Sequence, residues 1–240
     1  MSKTGPDGLG LLRPLIRAVE RADSANELQK ATENLAGALA ALTKAGNQGV
    51  SHCDPEAGGA IDCLLQVLGF NNPGAAVAAV DGLIAIGPPA VDPLLGSLDG
   101  HNYGARAWAV RALAGIGDVR GLELLESALA CDIGPSVRRA AARGLGQLRL
   151  EALPQSEQAS VRQRCLDALL AGGGDGEWVV RYAVAVGLEQ LMLGMGSAQA
   201  GFSAGLKALQ ELAGEPGDDT LVVRLRAGLA LSRLDGGTVG

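Results

Sequence analysis

The sequence predicts an all-α fold, a solenoid in which helix pairs stack one after another. Aromatic residues make up only 2 % of the 240 residues, whereas leucine, alanine and glycine dominate the composition. Aromatic side chains favour β-sheets, and small side chains instead suit helices that pack closely. The third observation is a helical pattern that recurs five times, and it carries the prediction because repeated units define solenoids.

Five segments of the chain align without gaps, and their apolar residues lie on one face of a helix. With the first residue of each segment as offset zero, offsets 0, 4, 7, 8 and 11 hold only apolar residues or glycine. These offsets form one stripe of an α-helix. Offset 7 is always glycine or alanine. A small residue there lets a neighbouring helix approach, which explains glycine at a position where it costs about 1 kcal/mol relative to alanine. The segments are 75–86, 105–116, 137–148, 180–191 and 223–234.

A leucine-containing partner helix precedes each segment, and the segments begin 30, 32, 43 and 43 residues apart. This spacing is typical of HEAT-like helix pairs. The partner helices are predicted at 59–68, 91–98, 121–130, 161–171 and 202–212.

An N-terminal helix pair at 11–22 and 26–45 is expected to cap the stack. Glycine and proline indicate a loop at 46–58, and glycine indicates connectors at 172–176 and 194–201. We therefore expect about six helix pairs in a single HEAT-like domain, 1–240, with the cap pair and loop in 1–58 and five repeats in 59–234.

An arginine occupies offset one in four of the five segments, and an aspartate precedes each of these arginines by six or seven residues. Charge-assisted hydrogen bonds between such side chains tie neighbouring elements together. We expect a structural ladder that links successive repeats through their turns. Its arginines are Arg106, Arg138, Arg181 and Arg224, and its aspartates are Asp99, Asp132, Asp175 and Asp218.

Charge and apolar patterning argue against several classes of function. The net charge of −6 disfavours nucleic acid as a partner, because nucleic-acid binding requires a basic field. The longest apolar run, 75–90, is interrupted by Asp81, Pro88 and Pro89, so no membrane span is expected. Without a signal-peptide pattern at its start, the chain is expected to be cytoplasmic, with its four cysteines reduced.

No common catalytic motif occurs in the sequence. His52, Cys53 and Cys63 lack the ligand spacing and the fourth ligand of a metal site. We therefore predict neither a metal nor a cofactor.

The face opposite the apolar stripe carries a different set of side chains. Offsets 2 and 6 and the position two residues before each segment point to this face, and offset 3 lies at the edge of the stripe. In HEAT pairs the second helix lines the concave side, so these residues would share one groove. Residues 99–149 hold seven arginines against five acidic residues. Aromatic side chains stack on flat molecules and arginines pair with carboxylates, which favours a flat, conjugated, anionic ligand. The candidate residues are Tyr103, Trp108, Arg111, Arg139, Arg143, Trp178 and Tyr182.

Four stretches of the chain resemble one family. They are GFNNPGAAVAAVDGL at 69–83, NYGARAWAVRALAGIGD at 102–118, SVRRAAARGLG at 136–146 and EWVVRYA at 177–183. Together they are similar to the F-type subunit of the E/F-type bilin lyases of cyanobacteria, which serve the phycocyanin α subunit. The resemblance extends from about residue 15 to residue 191.

The resemblance implies a heterodimer of an E-type and an F-type subunit, with phycocyanobilin as its substrate. The family attaches this bilin to a cysteine of apo-phycocyanin through a thioether, formed when the acceptor thiol adds to the ethylidene group. The arginines of the predicted groove would then hold the propionates, and its aromatic residues would pack against the tetrapyrrole. Asp118 would either pair with protonated pyrrole nitrogens or cap a helix.

A related lyase-isomerase carries the motif His-Cys-Gln-Gly-Asn, where this chain reads His52-Cys53-Asp54-Pro55-Glu56. Only the His-Cys pair matches. A thiolate beside an imidazole can shuttle the proton that isomerisation to phycoviolobilin requires. Without isomerisation the pair would lie in an ordinary loop and Asp54-Pro55-Glu56 would start a helix, which is the outcome that the three altered residues favour. The sequence therefore leaves three alternatives to a simple lyase subunit: a lyase-isomerase, a chaperone-like bilin carrier, and a HEAT scaffold that binds only protein.

Overall fold

The computed structural model describes residues 9–44, 55–97, 102–195 and 199–236. Within these ranges the chain is entirely helical, with twelve α-helices, short 3-10 turns and no strand. The helices are α1 (Leu12–Glu20), α2 (Ala25–Lys44), α3 (Pro55–Leu68), α4 (Pro73–Ile86), α5 (Val91–Gly96), α6 (Tyr103–Ile116), α7 (Leu122–Cys131), α8 (Pro135–Leu145), α9 (Gln155–Gly172), α10 (Trp178–Leu193), α11 (Phe202–Ala213) and α12 (Leu221–Gly236).

The predicted helix pairs are confirmed, and four of the five repeated segments fall in the second helices α4, α6, α10 and α12. The segment 137–148 extends three residues past the end of α8 at Leu145. The predicted loop 46–58 is wrong at its C-terminal end, because α3 begins at Pro55. Proline is favoured in the first turn of a helix, where its missing N–H costs nothing. Residues 45–54 lie outside the described part of the chain.

The chain divides into two compact units, Met1–Ile116 and Gly117–Gly240. In the first unit, α2, α4 and α6 lie side by side as one row of second helices. In the second unit, α8, α10 and α12 form the equivalent row. The prediction of a single domain is not tested by this division.

Small residues at offset 7 bring neighbouring second helices into close contact. A Cβ atom placed on Gly82 of α4 would lie 2.7 Å from the Cβ of Ala36 in α2. One placed on Gly187 of α10 would lie 2.5 Å from the carbonyl oxygen of Ala142 in α8. Real side chains do not approach this closely, so glycine is required wherever the neighbouring backbone cannot move.

By length and apolar content, no single helix among the described residues could cross a membrane. The pair Pro73–Ile86 and Pro88–Gly96 passes that test only when the two are taken together, and a bend of 119° separates them. Residues of α4 fill the core of the first unit, which accounts for the apolar character of this pair.

Candidate functional site

Ion pairs join successive repeats of the second unit at their turns. The guanidinium group of Arg138 donates to both carboxylate oxygens of Asp175, over 2.7 Å from Nε and 2.9 Å from Nη2. Its Nη1 donates to the carbonyl oxygen of Asp132 at 2.8 Å. Arg181 repeats this arrangement with the carboxylate of Asp218 and the carbonyl oxygen of Asp175. Each arginine therefore connects its own turn to the turn of the next repeat.

Arg224 and Arg106 are the two end members of the predicted ladder. Nη1 of Arg224 donates to the carbonyl oxygen of Asp218 at 2.6 Å, as in the preceding repeats. Arg106 lies half-buried on α6. Because Asp99 lies outside the described residues, a ladder contact of Arg106 stays a prediction.

The ladder lowers the pKa of two carboxyl groups, those of Asp175 and Asp218. Hydrogen bonds from Arg138 hold the pKa of Asp175 below its ordinary value. Hydrogen bonds from Arg181 lower the pKa of Asp218 to about 2. Each of these carboxylates also accepts a backbone N–H two residues further on, from Glu177 and Thr220 respectively, at 2.8 Å. Donors that favour the charged form depress the pKa of a carboxyl group.

Asparagine occupies the equivalent turns of the first unit. The side chain of Asn72 accepts the N–H of Ala75 at 3.1 Å and donates to the carbonyl oxygen of Ala25 at 2.8 Å. Asn102 accepts the N–H of Ala105 at 3.0 Å, and its amide nitrogen lies 3.5 Å from the carbonyl oxygen of Gly69. These contacts cap α4 and α6 and link each helix to the preceding turn without any charge.

Three of the predicted ligand-binding residues lie on α6 in the first unit. The guanidinium carbon of Arg111 lies 5.6 Å from the ring centroid of Trp108, a cation–π arrangement. Tyr103, at the start of the helix, is 44 % exposed. The side chain of Trp108 is half-buried and that of Arg111 is exposed. One face of α6 thus presents an aromatic platform with a cation over it.

A half-open cavity of about 210 Å³ lies beside this platform, between the turn at 69–73 and the start of α6. Phe70, Asn71, Asn102 and Trp108 are among the residues that line it. Phe70 is 48 % exposed, yet it lies outside the repeated offsets. Periodicity therefore gave no signal for it, although it lies within one of the family-like stretches.

The other four predicted residues lie in the second unit, on two neighbouring helices. Arg139 and Arg143 are exposed on α8. On α10, Trp178 is 45 % exposed and Tyr182 is half-buried. Each unit therefore carries its own set of arginine and aromatic side chains, and the seven predicted residues divide between the two sets.

A buried charged cluster in the second unit has no counterpart among the predicted site residues. Glu189 of α10 is fully buried and accepts hydrogen bonds from Arg226 and from Arg233, the latter at 3.1 Å. Arg226 is only 8 % exposed, and its Nη1 atom has no hydrogen-bond partner in the described part of the chain. Glu189 precedes Arg226 by 37 residues. The ladder pair Arg138 and Asp175 has the same spacing, which was the one available sequence signal.

Two further candidates have different outcomes. Asp118 caps a short 3-10 turn by accepting the N–H of Arg120 at 3.0 Å, and it forms an ion pair with the Arg120 side chain at 2.9 Å. This pairing lowers the pKa of the Asp118 carboxyl. The carboxylate is therefore engaged in the cap, which was one of its two predicted roles. His52 and Cys53 lie outside the described residues, so their part in isomerisation stays a prediction.

The stacked helix pairs and their ladder define a HEAT-repeat protein, and a family model of HEAT repeats matches residues 91–169. The phycocyanin alpha phycocyanobilin lyase CpcF of Synechocystis sp. PCC 6803 is 51 % identical over 177 residues, which cover 74 % of this chain and 75 % of that protein. The bilin biosynthesis protein RpcF of Synechococcus sp. WH8020 is 45 % identical over 228 residues, which cover 95 % and 98 % of the two chains.

Among solved structures, the complex of CpcE and CpcF of phycocyanin lyase from Nostoc sp. PCC7120 contains a chain that is 41 % identical, with a TM-score of 0.64. The match covers 71 % of this chain and 97 % of that one. This chain belongs to the CpcF/RpcF family of phycocyanobilin lyase subunits.

Proposed function

We propose that this chain is the F-type subunit of a heterodimeric bilin lyase, which attaches phycocyanobilin to a cysteine of a phycobiliprotein α subunit. The 51 % identity to a phycocyanin alpha phycocyanobilin lyase carries this proposal. The E-type partner is inferred from the similar chain that was solved as a complex of CpcE and CpcF.

The reaction that we propose is an addition. The sulfur of the acceptor cysteine bonds to the ethylidene carbon of the bilin, and the thiol hydrogen ends on the adjacent ring carbon. No group leaves and no electron acceptor is consumed, so we expect the lyase to need no cofactor. Its task is to hold the pigment in a reactive orientation beside the acceptor thiol, and orientation alone lowers the barrier of such reactions substantially.

The exposed arginines are suited to bind the two propionates of the bilin. Within the described residues, Arg111, Arg139 and Arg143 form no ion pair with a carboxylate of their own chain. A guanidinium group binds a carboxylate through two parallel hydrogen bonds. Trp108, which contacts Arg111, and Trp178, on the helix next to α8, each offer a flat surface for conjugated rings.

We place this reaction in the cytoplasm. The acceptor must be a free thiol, which a reducing compartment maintains. The acidic chain has no features that favour nucleic acid as a partner.

Co-expression tests the proposal directly. The chain, a matched E-type subunit, apo-phycocyanin α and a source of phycocyanobilin are produced together, and covalent pigment is detected by zinc-enhanced fluorescence of the α subunit on a denaturing gel. We expect attachment only when both lyase subunits are present. Equal attachment without this chain would contradict the proposal. Pigment binding without attachment would instead indicate a bilin carrier, and the absence of pigment binding a protein-binding scaffold.

A further inference from the structure

In the second unit, the helix faces that point away from the buried stripe differ in chemical character from one helix to the next, and together we call them the outward face. The residues that matter lie at offsets −2, 2 and 6 of each repeat, which are four residues apart and so share one face of a helix. This face lies opposite the buried stripe. The positions are Pro135, Arg139 and Arg143 on α8, Trp178, Tyr182 and Val186 on α10, and Leu221, Leu225 and Leu229 on α12.

Three leucines form the α12 part of this face, and we call them the leucine row. Leu221, Leu225 and Leu229 are 58 %, 64 % and 45 % exposed. Val222 beside them is 41 % exposed. Single exposed apolar residues are ordinary, but a contiguous row on one helix indicates a surface that binds something.

The row lies beside the faces of α8 and α10 that carry four of the predicted ligand-binding residues. α8, α10 and α12 are neighbours within one compact unit. Across these three helices the outward face passes from two cations to two aromatic rings and then to three leucines. Helix axes in contact lie about 8–10 Å apart, so the three helices span a strip on the order of 20 Å wide.

Other charged groups surround the strip without interrupting this order. Glu177 and Asp219 are exposed at the starts of α10 and α12, and Asp219 is paired with the ladder residue Arg181. Arg233, one turn after Leu229, is paired with Glu189, a carboxylate that it shares with Arg226. The arginines of α8 therefore remain the cations without a carboxylate partner on this face, within the described residues.

A coiled linear tetrapyrrole has the same order of chemical groups. Its two propionates extend from the inner rings at one edge, and the conjugated rings occupy the middle. The terminal lactam rings meet at the opposite edge, where their alkyl substituents lie beside their carbonyl oxygens. We propose that the leucine row binds this terminal-ring edge and thereby fixes which way round the pigment lies. The proposal rests on the proposed bilin-lyase function and adds a residue set to it.

This orientation has a consequence for the reaction. The ethylidene group belongs to a terminal ring, so it would lie at the α12 edge of the strip. The acceptor thiol would then approach from the α12 side, while the propionates stay bound at α8.

Bilin titration of Leu225→Asn tests the proposal. Phycocyanobilin is titrated against the chain in its complex with the E-type subunit, and binding is followed by the visible absorbance and circular dichroism of the pigment. We expect the Kd to rise about fivefold to tenfold, because a leucine that is largely exposed in the free chain loses its apolar contact with the ligand. Ile133→Asn is the matched control. Ile133 is 84 % exposed in the turn before α8, and its substitution should leave the Kd unchanged.

The dimethyl ester of phycocyanobilin tests the orientation. Arg139→Ala should weaken binding of the free acid but not of the ester, whereas Leu225→Asn should weaken binding of both.

If the wild-type complex binds pigment and Leu225→Asn binds it equally well, the leucine row is not part of the site and this inference fails while the lyase function stands. If Leu225→Asn weakens only the association with the E-type subunit, the row is a protein contact and the inference is wrong. If the wild-type complex binds no pigment, the proposed function itself fails.

Discussion

At the turns that the structure describes, the two units of this protein connect their repeats by different contacts. In the first unit, neutral asparagines cap the second helices and bond to the backbone of the preceding repeat. In the second unit, arginine–aspartate pairs make the equivalent connection through buried or half-buried charges. The same helix-pair architecture is thus held by contacts that differ in strength, pH dependence and tolerance of substitution.

The chain contains a natural reporter for each unit. Its two tryptophans are Trp108, on α6 of the first unit, and Trp178, on α10 of the second. In a Trp108→Phe variant, fluorescence follows the second unit, and in a Trp178→Phe variant it follows the first. Urea denaturation of these two backgrounds therefore measures the free energy of unfolding of each unit.

We expect the largest effect from Arg181→Ala. The side chains of Arg181 and Asp218 are only 13 % and 1 % exposed. Removing the arginine leaves a buried carboxylate without its counter-charge, which costs about 3–5 kcal/mol. The matched change in the first unit, Asn102→Ala, removes a neutral helix cap and should cost about 1 kcal/mol. Equal losses in the two tryptophan backgrounds would show that turn chemistry does not distinguish the units.

Gly187→Ala tests whether close helix packing matters as much as the ladder. The new Cβ would overlap the carbonyl oxygen of Ala142, so α8 and α10 must separate, at a cost of about 1–3 kcal/mol. Gly228→Ala is the control, because a Cβ there meets nothing within 4 Å. That substitution should stabilise α12 by up to about 1 kcal/mol. A neutral Gly187→Ala variant would mean that the helices can shift freely.

Acid should destabilise the second unit before the first. The pKa of Asp218 is about 2 in the folded chain, against an ordinary value of 3.8. A depressed pKa contributes stability above the ordinary value, and that stability is lost as the pH falls through the folded pKa. We expect a loss of about 2 kcal/mol between pH 4 and 2 in the Trp108→Phe background. Asp218→Asn should remove the part of this pH dependence that Asp218 contributes, while the lowered pKa values of Asp175 and Asp118 leave a residual slope. A slope that is unchanged by the substitution would contradict the role of Asp218.

The smallest effect on stability should come from Arg139→Ala, although its ladder neighbour Arg138 is adjacent in the chain. Arg139 is exposed, so its loss should change the free energy of unfolding by less than about 0.5 kcal/mol. Bilin binding should nevertheless weaken. Arg138→Ala should do the opposite, lowering the Tm while the outward face keeps its cations. Reversed phenotypes in thermal melts and bilin titrations would show that the assignment of Arg138 to the ladder and Arg139 to the outward face is wrong.

Helix periodicity predicted the architecture well, because the buried stripe and its small residue depend only on local spacing. The ladder that includes Arg138 and Asp175 was also predicted, since an arginine and an aspartate recur at fixed positions of the repeat. The leucine row was not, because Leu225 occupies the same offset as Tyr182 and Arg139 and the three residue types appear unrelated. The predicted loop 46–58 extends past the start of α3 at Pro55, because proline and glycine signal both loops and first turns.

Phe70 and Glu189 were missed for a different reason. Phe70 lines its cavity through a turn whose path depends on tertiary contacts. The charge of Glu189 is balanced by Arg226, which is distant in sequence, and burial of such a pair is decided by packing rather than by local pattern. Contacts of this kind become visible only once the helices are placed.

Each ladder arginine of the second unit precedes, by one residue, a side chain of the outward face: Arg138 precedes Arg139, and Arg181 precedes Tyr182. Successive residues of a helix are about 100° apart around its axis. An arginine held by its salt bridge therefore restricts rotation of the helix about its axis. The side chain of the next residue is then held in a fixed direction before a ligand binds. If this face binds the bilin as we propose, less conformational entropy remains to be lost on binding, and the affinity then depends partly on salt bridges that never touch the ligand.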